Sequence, residues 1–281
     1  MKKIIILMLI LITPLLYTGC SCSEPNKSSA IRAVWWWDDS LDSKTSKQYL
    51  DFAETNGINQ IYYSSSEFGD ITANFISQAK DRDISVFWLD GNYQWLTDEN
   101  KKSVLLQKLA NYKEYNQSHP SQQFSGVHFD IEPHQADDFD SNRKSLILSL
   151  ITLAHELKTN NPNIHFTYDI PFWLHDEITF NNSTKPAYAH MIDIADNIVV
   201  MSYRDSAEKI ISVAEEELEY ASSINKTITV SVECGDHGDN ISFYEEGRTI
   251  LNNELQNVYN MTPQNTGMCI HHIKSWYNLK D

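Results

Sequence analysis

The stretch SGVHFDIEPH, residues 125–134, alternates apolar and polar residues and turns acidic toward its end. Successive side chains of an extended strand point to opposite faces. Val127, Phe129 and Ile131 therefore share one face, and His128, Asp130 and Glu132 share the other. The same period in TITVSVEC, residues 227–234, puts Val230 and Val232 on one side and Thr229, Ser231 and Glu233 on the other. Buried carboxylates are costly unless they are paired or used. Two carboxylates facing one opening can cleave a glycosidic bond: one protonates the leaving oxygen, the other acts as nucleophile or activates water. The proton donor needs a raised pKa, which a neighbouring carboxylate such as Asp130 helps to supply. These rules make Glu132 the candidate general acid/base, Asp130 its partner or a substrate orienter, and Glu233 the second carboxylate. An ion pair of one glutamate with Arg204 or Arg32 is the competing, purely structural reading.

Positioning such groups takes a scaffold, and strand and helix signals alternate along the chain. Strand-like runs fall at 31–37, 58–64, 84–90, 125–134, 165–173, 197–205, 227–234 and 267–273. Helical runs fall at 45–55, 71–82, 98–116, 141–159, 186–194, 206–223 and 243–259, with a last helix missing or reduced to one turn near 275–279. Alternating β and α units imply a parallel sheet, and eight of them an α/β fold closed as a (β/α)8 TIM barrel. A doubly wound open sheet is the alternative, but no GxGxxG loop follows any strand. Barrel chemistry sits at the carboxyl ends of the strands. Those ends carry Asp38, Asp39, Ser64, Asp90, Asp130, Glu132, Asp169, Tyr203, Arg204, Asp205, Glu233, His271 and His272, with aromatic company from Trp35 to Trp37, Trp88, Trp173 and Trp276. An acidic floor with aromatic walls suits a sugar. The substrate-contact candidates are Tyr203, Arg204, Asp205, His128, His272, Asp169, Asp90, Trp37 and Trp276, although a strand-end Asp such as Asp90 or Asp205 can equally cap a helix.

SGVHFDIE resembles the fourth-strand signature DGxDxDxE of the family 18 glycoside hydrolases, the chitinases and endo-N-acetylglucosaminidases. Gly126, Asp130 and Glu132 match, and Ser125 and His128 replace two aspartates. Met201-Ser202-Tyr203 resembles that family's sixth-strand MxY, with Arg204 where Asp or Asn is usual. The resemblance implies that Glu132 is the acid/base and that Asp130 orients the acetamido group of a substrate acting as its own nucleophile. It implies further that Tyr203 holds the N-acetyl group and that Trp276 corresponds to the family's floor tryptophan. Glu132-Pro133 also resembles the Asn-Glu-Pro of the retaining glycosidases with glutamates ending strands four and seven, with Ile131 in place of Asn. That second resemblance makes Glu233 the nucleophile. The incomplete motifs leave open a non-catalytic surface glycan-binding lipoprotein on the same barrel.

Lys2 and Lys3 followed by IIILMLILITPLL form an export signal, too short in its apolar part to span a bilayer. The run Tyr17-Thr18-Gly19-Cys20 resembles a bacterial lipobox. It implies a signal peptide over 1–19, lipidation of Cys20, a tether over 20–30 and a barrel domain over 31–281, anchored in the cell envelope and facing outside the cytoplasm; an ordinary secretory signal is the alternative. The net charge is −16, and about −18 without Lys2 and Lys3, which disfavours nucleic acid, and none is expected as a partner. The partners expected are a carbohydrate and, through Cys20, a membrane. Cys234 and Cys269 read as buried thiols. A metal site built from His128, His134, His237, His271 and His272 is conceivable, but the first strand lacks HxH, so no metal and no cofactor are expected.

Overall fold

The strand-like runs close into a barrel because each is apolar on the face turned to the helices and mixed on the face turned inward. The computed structural model describes residues 30–37, 43–65 and 67–281. The first five strands are β1 (Arg32–Trp36), β2 (Gln60–Ser64), β3 (Ser85–Asp90), β4 (Gly126–Phe129) and β5 (Phe166–Pro171). A hairpin of β6 (Glu177–Phe180) and β7 (Ser183–Pro186) follows, then β8 (Asn197–Met201), β9 (Ile228–Glu233) and β10 (Thr266–His271). Among the described residues the eight strands other than β6 and β7 pair in parallel in the closed order β1-β2-β3-β4-β5-β8-β9-β10. The expected (β/α)8 barrel is therefore present.

The helices are α1 (Ser43–Thr55), α2 (Asp70–Lys80), α3 (Glu99–Ser118), α4 (Phe139–Asn160), α5 (Ala187–Ile194), α6 (Ala207–Val213), α7 (Glu215–Ser223), α8 (Arg248–Met261) and α9 (Ile273–Asn278). The last is short, as expected. The single helix expected over 206–223 is two, broken at Ala214 (φ −111°, ψ 12°). The hairpin was not expected; Asn181 and Asn182, at φ 49° and 62°, make the tight turn that asparagine tolerates. The helix expected over 243–259 starts at Arg248, after Gly247 at φ 84°.

Two apolar layers hold the barrel. The outer one, between sheet and helices, includes Val127, Phe129, Ile131, Val230 and Val232. The inner one fills the barrel with Ala33, Trp35, Tyr62, Phe87, Leu89, Val199 and Cys269. Each large side chain fully buried here contributes roughly 1.5–3 kcal/mol, so the scaffold under the mouth is stiff. Cys234 and Cys269 are buried free thiols. No helix among the described residues is long and apolar enough to cross a membrane. Residues 1–29, with Cys20, and Asp38 and Asp39 lie outside the described residues.

Candidate active site

β4 positions the acidic stripe. Its regular pairing ends at Phe129, but Asp130 N–H still donates to Asp90 O at 3.0 Å, so the chain stays extended for one more residue. The approach of the two backbones there requires Gly91, since a Cβ on it would lie 1.9 Å from Asp130 O. Glu132 then precedes a short 3₁₀ turn, Pro133–Gln135. Its carboxylate accepts from Gln135 Nε2 through one oxygen, and the other lies 3.4 Å from His134 Nε2. Asp130 is set deeper, and its Oδ1 is buried without a protein partner. Burial pushes its carboxyl well above the usual range; the charges of Asp169 and Glu132 push the same way, and His271 opposes.

Beneath Asp130 lies a buried group of three residues. Asp169 Oδ2 is 2.7 Å from His128 Nε2, and Trp35 Nε1–H reaches both, at 3.2 and 3.1 Å. Tyr62 stacks on the His128 ring at 3.7 Å. Burial drives His128 well below its ordinary value and Asp169 well above, so both favour their neutral forms in the barrel core. His128 and Asp169 thus lie at the floor of the mouth, under Asp130.

On the opposite wall Glu233 accepts from Cys234 N–H and Gly235 N–H through Oε1, at 2.8 and 2.6 Å, and its Oε2 lies 2.6 Å from His271 Nδ1. Burial raises the Glu233 carboxyl, but the His271 hydrogen bond, the His271 charge and the backbone donors outweigh it, and its pKa is lowered. Trp37 Nε1–H donates to His271 Nε2 at 3.1 Å. Tyr203 faces inward, 6.0 Å from the His271 ring; burial keeps its phenol protonated, with Asp169, Asp130 and Glu233 adding to the effect. Its O–H is therefore available as a donor.

The other candidates sit elsewhere. Phe87 and Leu89 face the barrel interior, so Asp90 points the other way and pairs with Lys108 of α3 at 2.6 Å. Asp205 pairs with Lys209 one turn on, at 2.9 Å. Arg204 donates to Tyr203 O and lies over the Phe172 ring at 4.7 Å, without an ion pair to either glutamate. Trp276 is buried against Phe52, ring centroids 4.7 Å apart, in the outer layer and not in the mouth. His272 turns from the barrel interior to Ser275, at 3.1 Å. The register pairs His271 with Glu233 and Cys269 with Ser231, so the inward histidine is His271. That register, continued from an inward Glu233, is the signal that finds it. Tyr62 and Trp35 follow from the same alternation on β2 and β1, whereas Trp173, 5.3 Å from His134, packs against Phe139 and Arg143 of α4. Among the described residues no group of three or more His, Cys, Asp or Glu side chains could hold a metal ion.

No protein-family model matches the chain, and no curated protein sequence matches it. Solved structures do. A GH18 chitinase from Pseudoalteromonas aurantia superposes with a TM-score of 0.58 at 13% identity, over 87% of this chain and 95% of that one. A chitinase from Bacteroides thetaiotaomicron gives 0.57 at 14%, over 88% and 90%. The spore cortex-lytic enzyme SleL of Bacillus cereus gives 0.53 at 12%, over 88% and 72%. The fold is thus that of TIM-barrel glycoside hydrolases, in a chain with little sequence identity to them.

Proposed function

We propose that the protein is a glycoside hydrolase of the cell envelope, with Glu132 as general acid/base and Asp130 as the group that orients the reacting end of the substrate. The observation that carries this reading is the placement of Asp130 and Glu132 on one inward stripe at the carboxyl end of β4, with Asp130 buried among further acids. Glu132 would deliver its proton to the glycosidic oxygen as the bond from that oxygen to the anomeric carbon breaks. Tyr203 offers its O–H, and Trp37 its ring, to the sugar. The likeness of SGVHFDIE to the family 18 signature and the chitinase folds around it make N-acetylglucosamine oligomers the first substrates to try, with the substrate's own acetamido group as the nucleophile. Lipidation at Cys20 and an extracytoplasmic position are part of the same proposal, supported by the lipobox-like run.

A panel of chitin, peptidoglycan, N-glycan and β-glucan oligosaccharides tests it. Turnover of one class is expected, and Glu132→Gln should lower kcat at least about 100-fold while the oligosaccharide still binds. A second reading, a glycan-binding lipoprotein without turnover, is favoured by the engagement of Glu132 with its own turn through Gln135 and His134. Tight binding without turnover by the wild type would establish that reading and defeat the first.

A further inference from the structure

Glu233 does not stand free in the mouth. Two backbone N–H groups fix its Oε1 as an acceptor, which leaves Oε2 to take the proton on His271 Nδ1. With that proton on Nδ1, Nε2 of the neutral ring is an acceptor, and Trp37 Nε1–H fills it. The donors therefore run from the Trp37 indole through His271 to Glu233, whose carboxylate also accepts the two backbone N–H groups after β9 and closes the chain. The strands hold each link: β1 pairs with β10, and His271 is the register partner of Glu233. At the outer end of this chain sits a half-buried indole at the rim of the acidic mouth.

We propose that Glu233 and His271 are positioning residues for Trp37, holding its indole as a sugar-stacking platform, and that a proton added to His271 releases it. The proposal rests on the reading of the mouth as a sugar site, and it assigns Glu233 a role other than nucleophile. A doubly protonated His271 carries N–H on both nitrogens, so Nε2–H and Trp37 Nε1–H would meet donor to donor. The groups facing His271 are Glu233 from β9, Asp130 from the end of β4, Asp169 from β5, Tyr203 beyond β8 and its own neighbour His272. His237, after β9, stands 3.9 Å from Glu233. Burial opposes a charge on His271, but the Glu233 hydrogen bond and the charges of Glu233, Asp130 and Asp169 prevail and raise its pKa. Release consequently occurs as pH falls through a value above the ordinary histidine one, and affinity for the sugar falls with it.

Glu233→Gln separates positioning from catalysis. The two backbone donors still demand the amide oxygen, so the amide NH₂ faces His271 Nδ1 and forces the ring proton onto Nε2. The Trp37 bond is then lost at every pH. In the sugar-free protein the Trp37 indole N–H resonance, identified by its loss in Trp37→Phe, should shift as His271 titrates and should be pH-independent in Glu233→Gln. With the oligosaccharide that the wild type turns over, or binds if it turns over none, Glu233→Gln and Trp37→Ala should raise KM or Kd about three- to tenfold, the worth of one aromatic contact. Where there is turnover, kcat should stay within about threefold. A fall in kcat of about 1,000-fold at unchanged KM would overturn the proposal in favour of a catalytic Glu233. An indole resonance that ignores both pH and Glu233→Gln would overturn the hydrogen-bond chain. A wild type that binds no oligosaccharide would overturn the sugar reading and the platform with it, whereas turnover surviving Glu132→Gln would defeat the assignment of Glu132 alone.

Discussion

Four acids and two histidines share the mouth and its floor, and their environments push Asp130, Asp169 and Glu233 apart. Asp130 and Asp169 are held toward their neutral forms by burial, whereas Glu233, fixed by backbone donors and His271, is held as an anion. The pattern of separated pKa values within a few side chains is what acid–base sites are built from, although buried networks of purely structural use share it. It also sets a pH dependence for folding. A carboxyl whose pKa is raised on folding contributes stability that is present below its unfolded value, 3.8 for Asp169, and is lost as pH rises through the folded value. Asp169→Asn keeps the size of the side chain and removes that titration. The variant should gain stability relative to the wild type as pH rises from about 4 to about 8, which denaturant midpoints across that range would register. A wild type and variant whose difference in midpoint is flat with pH would mean that Asp169 titrates in the folded protein as it does in water.

A second buried acid, outside the mouth, depends on how two elements meet. Glu217 on α7 is fully buried, bonds His175 of the segment after β5 at 3.0 Å, and leaves Oε2 without a partner. Burial raises its pKa to about 7, against an ordinary value of 4.5. Its contribution to stability is therefore complete below about pH 4.5 and lost as pH rises through about 7, at most on the order of 3 kcal/mol. Glu217→Gln should raise Tm at pH 8 and change it little at pH 4.5; equal shifts at both would show that His175 already neutralises the charge. The run Glu215-Glu216-Glu217 reads in the sequence as a solvated face, and Glu217 escapes that reading because the break at Ala214 re-aims α7. Such breaks explain what was and was not legible. The inward faces of β4 and β9 follow from period-two alternation, and the barrel from the eight alternating strand and helix runs. The sequence does not tell His272 from His271 at the mouth, because adjacent identical residues give no face until the register with β9 is fixed. Asp90 reads as a mouth residue only from its place at a strand end; its own strand's alternation, with Phe87 and Leu89 inward, turns it to Lys108. Trp276 came from a likeness of position, and the short α9 carries it into the outer core.

Under the proposed lipidation of Cys20, the two ends of the barrel would have different tasks. The chain enters at the amino end of β1, where Asn59 Nδ2 donates to Ala30 O, and the acids gather at the opposite, carboxyl end of the strands. Nine residues lie between Cys20 and Ala30, a reach of at most about 36 Å for a fully extended chain. A lipid on Cys20 would keep the amino end of the barrel next to the bilayer and present the mouth, a strand length of about 17 Å further out, to glycans lying away from the membrane. The net charge of −16 works in the same direction by disfavouring contact with anionic lipid head groups. Cys20→Ser should abolish labelling by fatty acid and release the protein from the membrane fraction, with kcat on soluble oligosaccharides unchanged. Inserting about 20 Gly/Ser residues after Cys22 should leave that kcat unchanged too, while altering cleavage of polymeric envelope glycan, whose accessible zone is set by tether length. Fatty-acid labelling that persists in Cys20→Ser would place the anchor elsewhere, and equal cleavage of the polymer by long- and short-tethered forms would show that anchoring does not set the reach.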